Sequence, residues 1–469
     1  MDLKTIRTLL LFGTGSGKQP DAPAVYYGVE FTGDDPAGTR TGAAEGLVLK
    51  PSTDTVAGQN DFDSIYPWSA MRRCCCTLQS DGTVTVNAYQ GQPGYAEDGT
   101  NGDVFVEIPL FYAAGALDTD PRISAKPLAG FRAPHKFENG DGTLKTHCYL
   151  PAFAGSLDED GKLRSVAGKA PACNKTASQF LAAARLWGAP YSIGTSADYE
   201  VAAYLMVVAC ATRDMQSVFS GVTNLYKTNI AVAAARTDEA AVTLEKGAVE
   251  VGSVISIGTG GTNESVAARR MVTAVEAIAG DDAHEKVCFT GDAVTSTTDH
   301  KVWLQVQSTG SAKGVLGSCG SPVSNSDGRH SFVFFGLENP LYGNQWRFEC
   351  DWKIVSGEVY CCDDPAKYQW TSTNDYTKCE GVALPASGYI RSLQTPDADR
   401  PWLQLPKETG GSADTGLADQ FWLNRNGTRA MLRGGAAIDN TLAGPFALSA
   451  SYNAAWSGWN GGASLSVPG

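Results

Sequence analysis

The chain has 469 residues, 52 of them glycine, with 43% hydrophobic and 19% charged residues. That apolar content can build a sizeable core and excludes a disordered chain, while so much glycine against so few charges points to a turn-rich molecule with few long helices. A formal net charge of −13, with basic runs no longer than Arg72-Arg73, argues against a nucleic-acid partner, because phosphate binding needs clustered Lys and Arg.

Residues 1–20 are expected to form an N-terminal helix and a linker. Lys4 and Arg7 precede the apolar run 9–12, an order like that of a signal peptide, but the run is shorter than the ~7–15 residues an apolar region needs and no small-x-small cleavage site follows. A short amphipathic helix ending at Gly13, docked on a partner or neighbouring subunit, is the simpler expectation, with no signal peptide. Gly13-Thr14-Gly15-Ser16-Gly17-Lys18 lacks the first glycine of a phosphate loop, since Phe12 stands there, so a flexible linker is expected. No stretch approaches the ~20 apolar residues of a membrane-spanning helix.

From Val25 to Tyr112, short apolar runs alternate with Gly, Asp and Asn turns, as where Asp81-Gly82 precedes residues 83–89, and hairpins are expected. Val104, Val106 and Ile108 recur at period two and should face a core, with Pro109 ending the ladder. Two helices follow, one over 178–187 and one opening at Thr195-x-x-Asp198, whose stripe of Val201, Leu205, Val208, Thr212, Met215 and Phe219 runs on to 219. Residues 21–225 are thus the first part of one domain.

Residues 226–305 break that pattern. Segments 247–257, 269–276, 286–290 and 302–306 read as strands of an inserted antiparallel β sandwich or barrel, whose role the sequence leaves open. The first domain resumes over 306–469, with a Gly336–346 block, a strand over 346–352 and a surface loop over 409–416.

Chemistry finds little to work with. The twelve cysteines include Cys74-Cys75-Cys76 and Cys361-Cys362 but no Cys-x-x-Cys, so reduced buried thiols are expected, with one or two bridges after release from the cell left open. His135, His147, His284, His300 and His330 are scattered without ligand spacing. Asp363-Asp364 and Asp281-Asp282 are adjacent, which on a strand sends them to opposite faces, unlike a glycosidase pair. Asp439-Asn440 is too little for a calcium cage. No catalytic residue, metal or cofactor is expected.

The last forty residues combine a frame with a filling. The frame consists of Arg429-x-x-Leu432-Arg433-Gly434-Gly435, Ala443-Gly444-x-Phe446-x-Leu448 and Trp459-Asn460. The filling between them is small, polar or aromatic. This order resembles the C-terminal region of C-type-lectin-fold variable proteins diversified by retroelements, a group that includes tropism determinants at phage tail-fibre tips. Gly343-Asn344-x-Trp346 is similar to the segment that this fold shares with formylglycine-generating enzymes, and residues 61–68 and 104–112 are similar to segments of phage structural proteins.

The resemblance implies an α+β fold: a C-type-lectin-like (formylglycine-generating-enzyme-like) domain, interrupted by the small antiparallel β domain, with the ligand-binding region at 429–469. It implies a non-catalytic receptor-binding protein of a phage or prophage tail, made in the bacterial cytoplasm and carried on the virion. Its ligand would be a host-cell surface protein or glycan, its neighbours other tail proteins, and its state a homo-oligomer, a trimer by preference, without nucleic acid or membrane insertion. The residues placed at the ligand are Ala436, Ala437, Ile438, Asp439, Ser449, Ser451, Tyr452, Asn453, Ala454 and Trp456. Tyr and Trp bury large area at small entropy cost while Ser and Asn adapt their hydrogen bonds. Arg433, Gly434, Gly435, Trp459, Asn460, Gly343, Asn344 and Trp346 would form the frame, Arg433 bonding loop carbonyls beneath the binding face. Two other classes remain open: a structural virion component contacting another phage protein, and a metal-dependent enzyme of the formylglycine-generating type. Against the enzyme stands the lack of any His or Cys after Cys379.

Overall fold

Strands dominate the chain, in keeping with its turn-rich composition. A computed structural model describes residues 24–323, 327–396 and 400–468, so the N-terminal helix and linker expected over 1–20 lie outside the described residues. Strands make up 37% of the chain and helices 10%, which overturns the α+β expectation: the fold is mostly β. Among the described residues there are two α-helices, α1 (Ala177–Arg185) and α2 (Ser196–Cys210). Both open with a capping box, Thr176 with Gln179 and Thr195 with Asp198, in which the cap side chain accepts from the backbone of the third residue and is answered in return.

The second helix is also shorter than its apolar stripe implies. The backbone turns left-handed at Ala211 (φ 53°), ending α2, so Thr212, Met215 and Phe219 leave the helix yet stay buried in the same core. Helix α2 is buried nearly all round, from Ser196 to Ala209, and such a helix is a filling between sheets rather than a layer with one wet face.

Two four-stranded sheets build the N-terminal part. One runs Thr39–Gly42, Tyr27–Glu30, Arg122–Ser124, Tyr112–Ala114; the other runs His147–Pro151, Asp103–Pro109, Arg72–Leu78, Val84–Tyr89. Asp103–Pro109 is buried on both faces: Val104, Val106 and Ile108 enter one core, and Phe105 joins Cys74 and Cys76 in a second on the other side. The Cys74 and Cys76 sulfurs lie 3.5 Å apart, and those of Cys361 and Cys379 lie 3.0 Å apart, all as buried thiols.

A six-stranded antiparallel sheet follows, in the order Lys227–Ala231, Lys301–Gln307, Ser253–Gly258, Ala267–Ile278, Asp281–Phe289, Ala241–Glu245. It curls until its ends approach, with Ala234 bridging Thr243, and encloses a third core containing Leu244, Ile255, Val287 and Leu304.

The C-terminal sheet centres on the long strand Trp346–Val355, paired with Thr428–Arg433 on one side and Glu358–Cys361 on the other. Between Glu349↔Met431 and Ile354↔Arg429, five steps on one strand face two on its partner. That odd excess turns the strand over. Trp346, Phe348 and Cys350 therefore enter the second core, whereas Trp352 and Ile354 enter the first.

Candidate functional site

The frame residues hold together, by contacts that bind the C-terminal segment to its neighbours. Arg433 does not bond loop carbonyls as expected. Its Nε donates to Glu349 Oε1 at 2.6 Å and its Nη2 to Oε2 at 3.2 Å, its guanidinium lies 3.8 Å from the Tyr199 ring centroid, and the Trp352 indole also donates to Glu349 at 2.7 Å. Burial lowers the Arg433 pKa, but the Glu349 carboxylate more than offsets this and holds it above the usual arginine value. Gly434 and Gly435 adopt φ of 97° and 81°, and a Cβ at Gly434 would collide with the Leu341 carbonyl.

Asn344, left-handed like Gly343 before it, pairs its side-chain amide with the Gln307 backbone: Nδ2 donates at 2.9 Å and Oδ1 accepts at 2.8 Å. This pairing imitates a strand and ties the six-stranded sheet to the block ending at Trp346. Trp346 is buried, and its backbone N–H donates to the Asn460 carbonyl at 2.8 Å. Trp459 stacks on Tyr226 at 4.7 Å and meets Trp303 edge-on at 5.6 Å, packing onto the six-stranded sheet.

The ten residues assigned to the ligand divide into two groups. Ala436 and Ala437 are fully buried, and the Ala437 carbonyl accepts from the N–H groups of Leu225 and Tyr226, both at 3.0 Å. Asp439 accepts from the Ala436 N–H at 2.7 Å, and burial pushes its carboxyl up to about 6. Only Ile438, 41% exposed, faces outward there. Ala437 thus joins the core of the six-stranded sheet and Ala436 the second core, and neither has surface to give a ligand.

The second group forms an edge. Ser449, buried in the strand Leu448–Ala450, serves the sheet. Beyond it the chain emerges: Ser451 is half-buried and accepts from Arg429 Nη1 at 3.0 Å, Asn453 is exposed and bridges back to Arg429, and Ala454 is half-buried. Asn453 also fixes the turn, its side chain accepting from Ala455 N–H and its carbonyl from Trp456 N–H, both at 3.0 Å. The Tyr452 and Trp456 rings stack at 4.3 Å and 26°. Trp456 rests on the second core, 5.9 Å from Phe348, and lies against Gly458 and Gly461, where any side chain would collide with its ring. Trp422, which meets Trp346 edge-on at 5.4 Å, packs on the same core. Sequence reading missed Trp422, although its strand Gln420–Leu423 pairs in parallel with Leu448–Ala450.

The scattered histidines are engaged locally. His284 bonds Asp281, His330 bonds Glu250 and Asp327, His300 accepts from Thr297, and His135 stacks on Trp402 at 3.6 Å. Among the described residues no three His, Cys, Asp or Glu gather as a metal cage, and no helix is long and apolar enough to cross a membrane. No protein-family model and no curated protein matches the chain.

Proposed function

We propose that the protein is a non-catalytic recognition module of a phage or prophage tail, and that it engages a host-surface ligand through the edge formed by Tyr452, Asn453, Ala454 and Trp456. The observation that carries this reading is the stacked, partly exposed Tyr452–Trp456 pair, seated on glycines and on a buried core. A rigid aromatic step flanked by the exposed amide of Asn453 suits contact with a sugar face or a protein side chain, since little freedom is lost on binding. The order of frame motifs, which resembles that of retroelement-diversified variable proteins, supports the same reading. Single sites of this size are weak, and display on a homo-oligomer, a trimer by preference, would raise avidity.

Binding of the purified protein to a panel of bacterial cells and surface glycans, beside Tyr452→Ala, tests it. The reading expects retention by at least one cell type and its loss in the folded variant. Retention by none, together with capture by another tail protein, would instead support a structural virion role.

A further inference from the structure

Arg347 and Arg433 are directly opposite each other on neighbouring strands and share one face of the C-terminal sheet with Glu349. Arg433 takes both oxygens of Glu349, and the charge that acts on Arg347 is that of Glu338. Among the described residues no hydrogen bond or ion pair reaches the Arg347 side chain. Burial lowers its pKa only to about 10, so it carries its charge at neutral pH.

Arg347 lines a cavity of about 80 Å³ between the sheet, helix α2 and the C-terminal residues 464–466. At ~10–15 Å³ per water this holds a handful of waters or one small ion. The other charges on its wall are satisfied: Glu349 by Arg433, and Asp198 by Lys136 at 2.6 Å. Glu338 accepts from the N–H groups of Gly310 and Ala312 at 2.9 and 3.1 Å, and burial pushes its carboxyl up to about 7, which halves its countercharge near neutrality. Tyr199 lines the same space, and its hydroxyl, beside the Arg433 guanidinium, is buried. Gly194 and Thr195, at the positive end of α2, complete that wall.

We propose that this cavity binds a small oxyanion of the phosphate class, held by the forked donors of Arg347 with the Tyr199 hydroxyl as a further donor. A planar guanidinium matches two oxygens at once, and Arg347, partly exposed, has Glu338 as a countercharge but no hydrogen-bonded partner for its fork. The anion would sit beneath Ser464 and Ser466 and help seat the C-terminal tail, which Lys136 already anchors through Ser466 Oγ at 3.1 Å and the Val467 carbonyl at 2.5 Å. This site is separate from the Tyr452–Trp456 edge and does not depend on the recognition reading.

The test is calorimetry and thermal unfolding of the full chain with inorganic phosphate against chloride at matched ionic strength. Phosphate should raise Tm in a saturable way and release or absorb heat on titration, and Arg347→Met, of similar length but uncharged, should fold and lose both effects. Should that variant not fold, Arg347→Lys keeps the charge but loses the fork, and Tyr199→Phe loses only the hydroxyl. Arg347→Lys should bind phosphate at least tenfold more weakly, and Tyr199→Phe several-fold. Absence of any phosphate response in the wild type, or an equal response in Arg347→Met or Arg347→Lys, would overturn the proposal.

Discussion

Tyr452 and Trp456 stack with ring centroids 4.3 Å apart, yet they face different surroundings: Tyr452 is 37% exposed, whereas Trp456 packs on the second core beside Phe348. The pair is a step whose tread is wet and whose riser is built into the fold. Tyr452→Ala should therefore change stability by only ~0.5 kcal/mol, while Trp456→Ala should cost about 1–3 kcal/mol through lost burial. Denaturant unfolding of the two variants measures both, and equal costs would contradict the division.

The buried Ala437 and its exposed neighbour Ile438 divide in the same way. Ala437 is fully buried in the core of the six-stranded sheet, so Ala437→Leu should overpack it and cost about 1–3 kcal/mol, while Ile438→Ser at the exposed neighbour should be near neutral. Comparison of their unfolding midpoints decides whether the segment is a joint or a surface. A stable, native-like Ala437→Leu would show that the joint is loose.

Arg433 and Glu349 form a buried pair, with side chains 6% and 5% exposed. Removing one partner leaves the other as an unpaired buried charge, so Arg433→Met or Glu349→Gln alone should cost about 3–5 kcal/mol, and the double variant should recover much of it. A double-mutant cycle reads the coupling. Additive losses would mean that the pair is not coupled. Because Glu349 also accepts from Trp352, part of its single-variant cost belongs to that indole.

Much of the local structure was legible from residues, and the overall class was not. Thr195 and Asp198 announce a helix start, which the capping box bears out. The strands of the six-stranded sheet follow apolar runs such as 302–306, which lies within Lys301–Gln307. The helix end at Ala211 was hidden, because Met215 and Phe219 continue the helical stripe although a left-handed residue has already turned the chain. Spacing records which residues are buried, and a core filled from several directions buries residues of a helix and of the following loop at the same intervals. The interior positions of the C-terminal surface were concealed for a related reason. Ala436 and Ala437 are small, and small residues suit a variable surface and a close joint equally well; only the bonds from Leu225 and Tyr226, more than 200 positions earlier, distinguish them. Arg433 was recognisable as frame, but its partner Glu349 lies on another strand and carries no local signal.

Stability should fall as pH rises from about 4 to about 7. Burial pushes the carboxyls of Glu338 and Asp351 up to about 7, from ordinary values of 4.5 and 3.8. Between those limits the folded chain keeps protons that the unfolded chain releases, so the stability these groups contribute is full below the unfolded pKa and lost as pH passes through 7. Asp351 accepts from Ser196 at the start of α2, and Asp351→Asn should keep one acceptor oxygen for the Ser196 N–H while flattening the slope. Unfolding free energies across this range check the sign; a rise towards neutral pH would refute the assignment.

On the proposed reading, the Tyr452–Trp456 edge is where this protein meets its ligand. The most direct measurement is binding of wild type and Tyr452→Ala to a panel of bacterial cells and surface glycans, with the fold of each monitored by unfolding. Wild type should bind at least one target, and folded Tyr452→Ala should bind it at least tenfold more weakly. Undiminished binding by Tyr452→Ala would contradict it.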